Sequence, residues 1–356
     1  MDFSFTSEQD QLRETVARLV RQQYDFDTRR KVAKSESGWR PEMWAQFAEL
    51  GLLGASFSED EGGFGGGPIE AMIISEEFGK GLVIEPYLQT VIVGGNFLRH
   101  GGSAAQKEEH VAGLIGGESI FAFAYSEPKS RYDLNDVSTT AKKDGAGYVL
   151  NGHKGVVYAA PWASHLLVTA RTGGSGSEAA GVSLFLIDAN LPGIVRRDYP
   201  TVDGGRASEV YFENVSIPAD ALIGEENQGW TIAKYLLEHE RGGSSAPFLR
   251  GRLARLHASL RDAFATQDTE HEDIALTLAN AQCRIDALHA WEQQVLTARI
   301  GGGAPPCWLP AAPSMGKLLA TELTGQGNTA AAVRRTLDRL RAEVEQGLEP
   351  DVQMRR

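Results

Sequence analysis

The chain has 356 residues, of which 42% are hydrophobic and 23% charged, and its formal net charge is -12. This length exceeds the usual size of a single hydrophobic core, so two or three domains are expected, and the composition is that of a folded globular protein. The acidic balance argues against a nucleic-acid groove as the main function.

Cysteine content and hydropathy narrow the protein class further. Two cysteines, Cys283 and Cys307, are too few for a disulfide framework, and neither has the Cys or His neighbours of a zinc site. A helical pattern begins soon after Asp2 without the regions of a signal peptide, and the apolar runs are far too short to span a bilayer. We therefore expect a soluble, cytoplasmic protein without a metal site and without nucleic acid or a membrane as partner.

The N-terminal third has helical periodicity. Thr6 and Gln9 form a capping-box pattern ahead of an amphipathic helix, and Pro41 and Pro68 stand at the first turns of two further helices. The glycine-rich run at residues 62–67 is expected to be a flexible loop, and more helix is expected at residues 88–115. Residues 1–116 are thus predicted to form a helical domain.

From residue 119 the period changes to that of β-strands. Phe121, Phe123 and Tyr125 alternate with alanine, and further strand-like runs occur at residues 137–141, 148–151, 165–170, 182–187 and 209–212. Asn151-Gly152 is predicted to be the type I′ turn of a hairpin. Residues 117–228 are predicted to form a β-domain of about six to eight strands, a sandwich or a barrel.

Helical periodicity returns after the β-region. It runs from Trp230 towards Glu240, continues over residues 274–300 and recurs in a last segment marked by Val333 and Leu340. Residues 229–356 are therefore predicted to form a C-terminal helical domain, shortened or atypical at its end. The predicted fold class is α+β and multidomain: a helical domain, a β-barrel or sandwich, and a helical bundle.

Two segments of the β-region carry groups that suit a planar ligand. Ser126 lies where an alternating strand opens into the loop Ser126-Glu127-Pro128, and its hydroxyl and backbone suit the pyrimidine edge of a flavin. The strand after residue 154 contains Val157 and Tyr158, and Tyr158 would cover a flavin face. An ordinary strand-end turn at Ser126 and simple core packing of Tyr158 are the alternatives.

Charged residues supply the remaining candidates. Glu240 follows Leu236 at i+4, beside the apolar face of its predicted helix, where a carboxylate suits a general base that abstracts an activated C–H proton. A salt bridge to a neighbouring helix is the alternative. Arg206 lies in a glycine-rich bend and either forks onto a phosphate or carboxylate or remains a solvated surface charge.

Taken together, these segments resemble the acyl-CoA dehydrogenase family from residue 3 to about residue 246. Within that family the chain looks closest to the small subunit of pimeloyl-CoA dehydrogenases. The resemblance is carried by Glu-Gly-Gly-Phe-Gly at 61–65, Glu-Glu-Phe-Gly-Lys at 76–80, Ser-Glu-Pro at 126–128, Thr-Thr-Ala at 139–141, Tyr-Val-Leu-Asn-Gly-His-Lys at 148–154 and Phe-Glu-Asn-Val-Ser-Ile-Pro at 212–218.

The resemblance implies a helix, β-barrel, helix architecture that binds FAD and oxidises an acyl-CoA thioester to the trans-2-enoyl-CoA. Glu240 would be the base that removes the α-proton. Electrons would pass to an electron-transfer flavoprotein. The matching positions imply FAD contacts from Tyr125, Ser126, Val157 and Tyr158, and acyl-CoA contacts from Arg206 and Arg241.

The sequence departs from the family pattern in its last part. After residue 319 it contains neither the Gln-x-x-Gly-Gly element nor the Glu-Gly-Thr turn of the family. A neighbouring subunit normally supplies some of these pieces, so a homo-oligomer or a heteromer with a larger homologous subunit is expected. Two alternatives stay open: a non-catalytic partner subunit with weak or no FAD binding, and a flavin monooxygenase or nitroalkane-oxidising relative.

Overall fold

The computed structural model describes most of the first two thirds of the chain. These residues are 4–130, 135–175 and 178–239, followed by 247–252, 254, 255, 258, 279, 283, 286, 287 and 290. The described residues divide into two compact units. One contains 4–29, 67–83 and the described positions after 246, and the other contains 30–66 and 84–239.

Helices occupy the N-terminal part, as the sequence predicts. Thr6 caps the first helix: its hydroxyl accepts the Gln9 amide at 3.3 Å, while the Gln9 side chain accepts the Thr6 amide at 3.1 Å. The helices are α1 (Ser7–Gln23), α2 (Phe26–Lys34), α3 (Pro41–Glu49), α4 (Pro68–Gly81), a π-helical turn (Leu88–Gly94), α5 (Gly95–Gly101) and α6 (Ala104–Ile115).

Helix α2 was not predicted. None of its residues is buried. Helix α2 has nine residues, of which only Phe26, Val32 and Ala33 are apolar, so it is too short and too polar for an apolar face to recur in the sequence.

The first unit is built on the packing of α1 against α4. Met72 and Ile73 are buried at its centre, and Phe5, Leu12 and Ile69 pack against them. The last residue of α4, Gly81, approaches α1 so closely that a Cβ atom there would lie 2.7 Å from a methyl group of Val20. A larger residue would therefore push the two helices apart.

The second unit contains a mixed sheet. Its strands are β1 (Phe121–Ala124), β2 (Thr140–Asp144), β3 (Gly147–Tyr158), β4 (His165–Arg171), β5 (Val182–Asp188), β6 (Ile194–Pro200), β7 (Arg206–Pro218) and β8 (Leu222–Ile223). The strand order is β6-β7-β3-β2-β4-β5-β8, and β1 pairs with β4 in parallel. All neighbours along that order are antiparallel except β2 and β4.

The predicted hairpin turn at Asn151-Gly152 is wrong. Both residues lie inside β3, and the turn that joins β2 to β3 is at residues 145 and 146, where Gly145 has a φ of 56°. Gly152 has a different role, because a Cβ atom there would lie 2.6 Å from the Cα atom of Thr139. Asn-Gly in this chain therefore marks a close approach between backbones instead of a reversal.

A β-bulge changes the direction of the side chains at the end of β3. Lys154 pairs with Val210 and Val157 pairs with Ser208, so three steps on β3 match two on β7. One extra residue breaks the alternation of a regular strand. As a result Lys154 and Val157 are both fully buried.

Helix α7 (Gly229–His239) follows the sheet and confirms the helix predicted from residue 230 as far as His239. A Cβ atom on Gly229 would lie 2.6 Å from the backbone nitrogen of Leu184, so the first turn of α7 rests directly on β5. Ala233, one turn later, is buried.

Helical residues followed by a β-sheet confirm the predicted fold class, while the limits 1–116, 117–228 and 229–356 remain predictions. The described positions 279, 283, 286, 287 and 290 are helical, as predicted for 274–300. The last predicted helix, near residues 333–344, lies outside the described residues. No helix in the described part is long and apolar enough to cross a bilayer.

Candidate functional site

Ser126 lies beside the bulged end of β3. It forms an antiparallel bridge with Val156, and its carbonyl accepts the Gly155 amide at 2.9 Å. Pro128 packs against Gly155, since a Cβ atom on Gly155 would lie 3.0 Å from the Pro128 ring. The loop after β1 and the end of β3 therefore form one continuous surface.

The residues on that surface differ in part from those predicted. Val156 is 38% exposed and Tyr158 is 46% exposed, and they lie two residues apart on the same side of the strand. Val157 has no exposed surface. The bulge therefore directs the Val157 side chain into the core, and Val156 is the exposed neighbour of Tyr158 on this surface.

Tyr125 is only partly exposed and lies with its ring centroid 4.8 Å from that of Phe123. Its carbonyl accepts a hydrogen bond from the Lys154 ammonium at 3.4 Å. Tyr125 and Ser126 are thus both bonded through their carbonyls to consecutive residues of β3.

A buried ion pair lies directly behind this surface. The Lys154 Nζ and Glu127 Oε1 atoms are 2.7 Å apart, and the two side chains are 0 and 2% exposed. Burial lowers the pKa of Lys154 to about 8 against the attraction of Glu127. Burial also acts to raise the pKa of Glu127, but the Lys154 ammonium and hydrogen bonds from Ser138 and Thr139 outweigh it and hold that pKa at about 2. Both groups are therefore charged at neutral pH.

Glu127 and Lys154 both lie within sequence motifs, but no role was predicted for either residue. The sequence feature that could have identified them is that each charged residue interrupts a β-region rich in apolar residues, at Tyr-Ser-Glu-Pro and at Asn-Gly-His-Lys. Buried charges in proteins are almost always paired, so one acidic and one basic residue in such positions are natural partners.

Arg206 is the first residue of β7 and lies next to Tyr158. The following residue, Ala207, pairs with Tyr158, and the Ala159 amide donates a hydrogen bond to the Arg206 carbonyl at 3.0 Å. Its guanidinium donates to the Ser35 carbonyl at 2.8 Å. The Arg206 side chain therefore holds the segment that follows α2. A guanidinium has five N–H donors, so this bond does not exhaust its capacity for an anion.

The segment at residues 35–39 has a second attachment. The indole of Trp162 donates to the Ser37 carbonyl at 2.9 Å, and its ring stacks on Trp39 with 5.4 Å between centroids. Among the described residues, Arg206 at the start of β7 and Trp162 in the turn before β4 thus both hold this segment.

Glu240 and Arg241 lie outside the described residues. Helix α7 is described as far as His239, immediately before them, and its first turn is anchored on β5 by Gly229. Two residues before that turn, the Asn227 amide donates a hydrogen bond of 2.7 Å to the hydroxyl of Ser183 on β5. The start of the helix that leads to Glu240 is therefore firmly attached to the sheet.

The described residues combine an apolar and aromatic strand surface with the polar edge of a loop. Val156 and Tyr158 provide the first, and Ser126 provides the second. Such a combination suits a flat heteroaromatic ring with one polar edge. Within the described part of the chain, no group of three or more His, Cys, Asp or Glu residues is arranged to hold a metal ion.

Two family models match the chain. The acyl-CoA dehydrogenase N-terminal domain matches residues 6–118, and the acyl-CoA dehydrogenase middle domain matches residues 122–215. The chain is 29% identical over 304 residues to acyl-CoA dehydrogenase FadE29 of Mycobacterium tuberculosis, which covers 82% of this chain and 77% of that protein. It is 32% identical over 245 residues to mitochondrial isovaleryl-CoA dehydrogenase of Pongo abelii, covering 66% of this chain and 57% of that protein.

A solved structure has the same fold. The FAD complex of PigA superposes with a TM-score of 0.81 at 23% identity, over 94% of this chain and 88% of PigA. At this identity the comparison establishes the fold.

Proposed function

Because this chain belongs to the acyl-CoA dehydrogenase family of flavin oxidoreductases, we propose that it oxidises an acyl-CoA thioester to the trans-2-enoyl-CoA with FAD. The observation that carries the proposal is the bridge between Ser126 and Val156. It joins a polar loop edge to an exposed apolar strand within the part of the chain that the middle-domain model matches.

The residues present fit the flavin ring. Val156 and Tyr158 expose side chains on one side of β3, where they suit a ring face, and Ser126 adjoins them with a hydroxyl that suits the ring's polar edge. Tyr125 stays a candidate through its position next to Ser126. When bound, FAD supplies the acceptor for the hydride that leaves the β-carbon of the thioester.

Glu240 is proposed as the base that takes the α-proton of the thioester. Helix α7 supports this role, because its first turn is anchored on β5 and its last described residue, His239, is the neighbour of Glu240 in the chain. Arg206 and Arg241 are proposed to bind the acyl-CoA, with the free N–H groups of Arg206 directed to a phosphate. An electron-transfer flavoprotein is the proposed acceptor of electrons, and the proposed compartment is the cytoplasm.

A second candidate function is a partner subunit that keeps the fold and binds FAD weakly. It is favoured by the departures from the family pattern after residue 319. In that case the chain would act in a heteromer with a larger homologous subunit that completes the FAD site.

Purification in air, a visible spectrum and an anaerobic titration with acyl-CoA thioesters test the proposal. We expect a yellow protein whose flavin absorbance bleaches on addition of acyl-CoA without oxygen. A colourless protein that binds no added FAD would favour the partner subunit, whereas flavin that acyl-CoA fails to reduce would contradict the dehydrogenase reaction. Thioesters of different chain length and terminal charge would then define the substrate.

A further inference from the structure

We propose that Lys154 is a positioning residue for the candidate flavin surface. It holds Tyr125, Ser126 and Glu127 against the bulged end of β3, and through them it sets the place of the Ser126 edge relative to Val156 and Tyr158. The inference rests on the proposed function for the identity of the ligand, but its geometry belongs to the chain alone.

Lys154 cannot act by touching a ligand, because its side chain is completely buried. Its ammonium instead connects three parts of the sheet. It donates to Glu127 Oε1 at 2.7 Å, to the hydroxyl of Thr169 on β4 at 3.1 Å and to the carbonyl of Tyr125 at 3.4 Å. Since an ammonium has three donors, all of them are used inside the protein.

Both carboxylate oxygens of Glu127 also accept hydrogen bonds inside the protein. Its Oε1 accepts the Thr139 amide at 3.0 Å besides Lys154, and its Oε2 accepts the Ser138 amide at 2.8 Å and the Ser138 hydroxyl. Every partner of this carboxylate is a donor. The carboxylate therefore holds the chain that enters β2 as well as the loop after β1, and it has no role left in proton transfer.

The arrangement places Ser126 between two fixed neighbours. Tyr125 is bonded to Lys154, Ser126 to Gly155 and Glu127 to Lys154, at 3.4, 2.9 and 2.7 Å. Three consecutive residues are thus attached to two consecutive residues of β3. The next outward-facing residues of that strand are the exposed Val156 and Tyr158. Loss of the ammonium would release two of these three attachments and allow the polar edge to move relative to the apolar surface.

The test compares Lys154→Met with a control that is destabilised elsewhere. Methionine keeps most of the length of the lysine side chain and removes the ammonium. Ile217→Ala is the control for lost stability. Ile217 is buried and pairs with Tyr148 at the opposite end of β3, eight residues from Val156 and about 26 Å away.

Lys143→Met controls for loss of a lysine charge, because Lys143 is exposed and pairs with Glu226.

A second variant guards against a failure to fold. Lys154→Met leaves the Glu127 charge buried and unpaired, which is strongly unfavourable. The double variant Glu127→Gln with Lys154→Met removes both charges and should unfold at a higher temperature than the single variant. FAD dissociation constants and the visible spectrum of bound flavin are measured on all variants at the same fraction folded.

We expect both Lys154 variants to bind FAD roughly tenfold or more weakly than Ile217→Ala, which is the scale of loss for groups that orient a direct ligand contact. A changed flavin band shape should accompany that loss. FAD affinities equal to that of Ile217→Ala would overturn the proposal, because Lys154 would then contribute only to stability.

Amide hydrogen exchange on the FAD-free protein separates this inference from the proposed function. If the unaltered protein binds no FAD, the proposed function fails, and exchange alone decides the positioning role. Faster exchange at the amides of Ser138, Thr139 and Gly155 in Lys154→Met, but not in Ile217→Ala, would support it. Equal exchange in the two variants would overturn it.

Discussion

Ser126 and Val156 face each other across an antiparallel bridge that joins the end of β1 to the bulged end of β3. The bridge brings together residues that are 30 positions apart in the chain. It explains how a loop edge and a strand surface form one candidate site, and it identifies which side chains of β3 a cofactor would meet.

The bulge predicts opposite results for two adjacent residues of β3. Tyr158→Ala should weaken FAD binding and change the free energy of unfolding by less than about 0.5 kcal/mol, because its side chain is exposed. Val157→Ala should lower that free energy by about 1–2 kcal/mol and leave FAD binding unchanged, because its side chain is fully buried. FAD titration and denaturant unfolding of both variants measure the difference. Equal effects on FAD affinity would show that the bulge does not select the contact residue.

Glu127→Gln should lower the free energy of unfolding by about 3 kcal/mol at pH 7. The substitution leaves the buried Lys154 charge unpaired and turns an amide NH₂ group towards partners that are all donors. Denaturant unfolding gives the value, with Glu209→Gln as the control, because Glu209 pairs with an exposed Arg197 on the same sheet. A loss no larger than that of the control would argue against a buried charged pair.

The lowered pKa of Glu127 predicts how the stability of the β-domain depends on acid pH. The pKa of Glu127 is about 2 in the folded protein and near the ordinary glutamate value of 4.5 when unfolded. The unfolded state therefore binds the proton first, so the stabilisation from Glu127 is present above about pH 5 and is lost as the pH falls towards 2. Unfolding of Glu127→Gln should depend less steeply on pH over that interval. Parallel curves would mean that other carboxylates account for the acid sensitivity.

Gly229→Ala should displace the first turn of α7 from β5. A Cβ atom at this position would lie 2.6 Å from the Leu184 nitrogen, and the clash should cost about 1–3 kcal/mol of unfolding free energy despite the better helix propensity of alanine. Because Glu240 follows His239, the last described residue of this helix, flavin reduction by acyl-CoA should slow as well. Thermal unfolding and anaerobic stopped-flow spectroscopy measure the two effects. Thr231→Ala, at an exposed position of the same helix, should change neither.

Glu240→Gln should abolish flavin reduction by acyl-CoA while FAD stays bound. A glutamine amide cannot accept the α-proton, and loss of a general base typically slows a reaction by about 10²- to 10⁴-fold. The absorbance of oxidised flavin, followed without oxygen, gives the rate. Glu238→Gln, two residues earlier in the chain, is the matched control. Reduction at a near-normal rate in Glu240→Gln would place the base elsewhere.

Arg206→Ala should loosen the segment at residues 35–39 and weaken binding of acyl-CoA. The substitution removes the hydrogen bond to the Ser35 carbonyl, which should cost about 1 kcal/mol, together with the donors proposed for a phosphate. Hydrogen exchange of residues 35–39 and acyl-CoA titration follow the two roles separately. Arg197→Ala controls for loss of an exposed charge. If only the exchange rates change, the role of Arg206 is confined to holding the segment.

Local signals in the sequence predicted much of the fold. The cap at Thr6, the proline starts of α3 and α4 and the alternation in β1 each depend on residues within a few positions of one another, and the structure has these elements. Helix α2 and strand β6 were missed. The helix has no buried residue, and the strand carries exposed and partly exposed residues without an apolar run.

Errors arose where a local pattern has two structural solutions. Asn-Gly is a common hairpin turn, but at 151–152 the close approach of Thr139 requires a glycine inside a strand. Val157 and Tyr158 remain predicted contact residues, but their side chains differ in exposure, and the direction of each could not be assigned before the register of β3 with β7 was known.

By itself, the sequence determined most of the order of helices and strands, the motifs that match the family and the prediction that Glu240 lies on the helix that begins near residue 230. Only the tertiary structure decided that Val156 and Tyr158 face outward together and that Lys154 and Glu127 form a buried pair behind Ser126. The physical reason is that strand register, bulges and charge burial depend on contacts between residues distant in the chain. Periodicity within one segment carries no information about them.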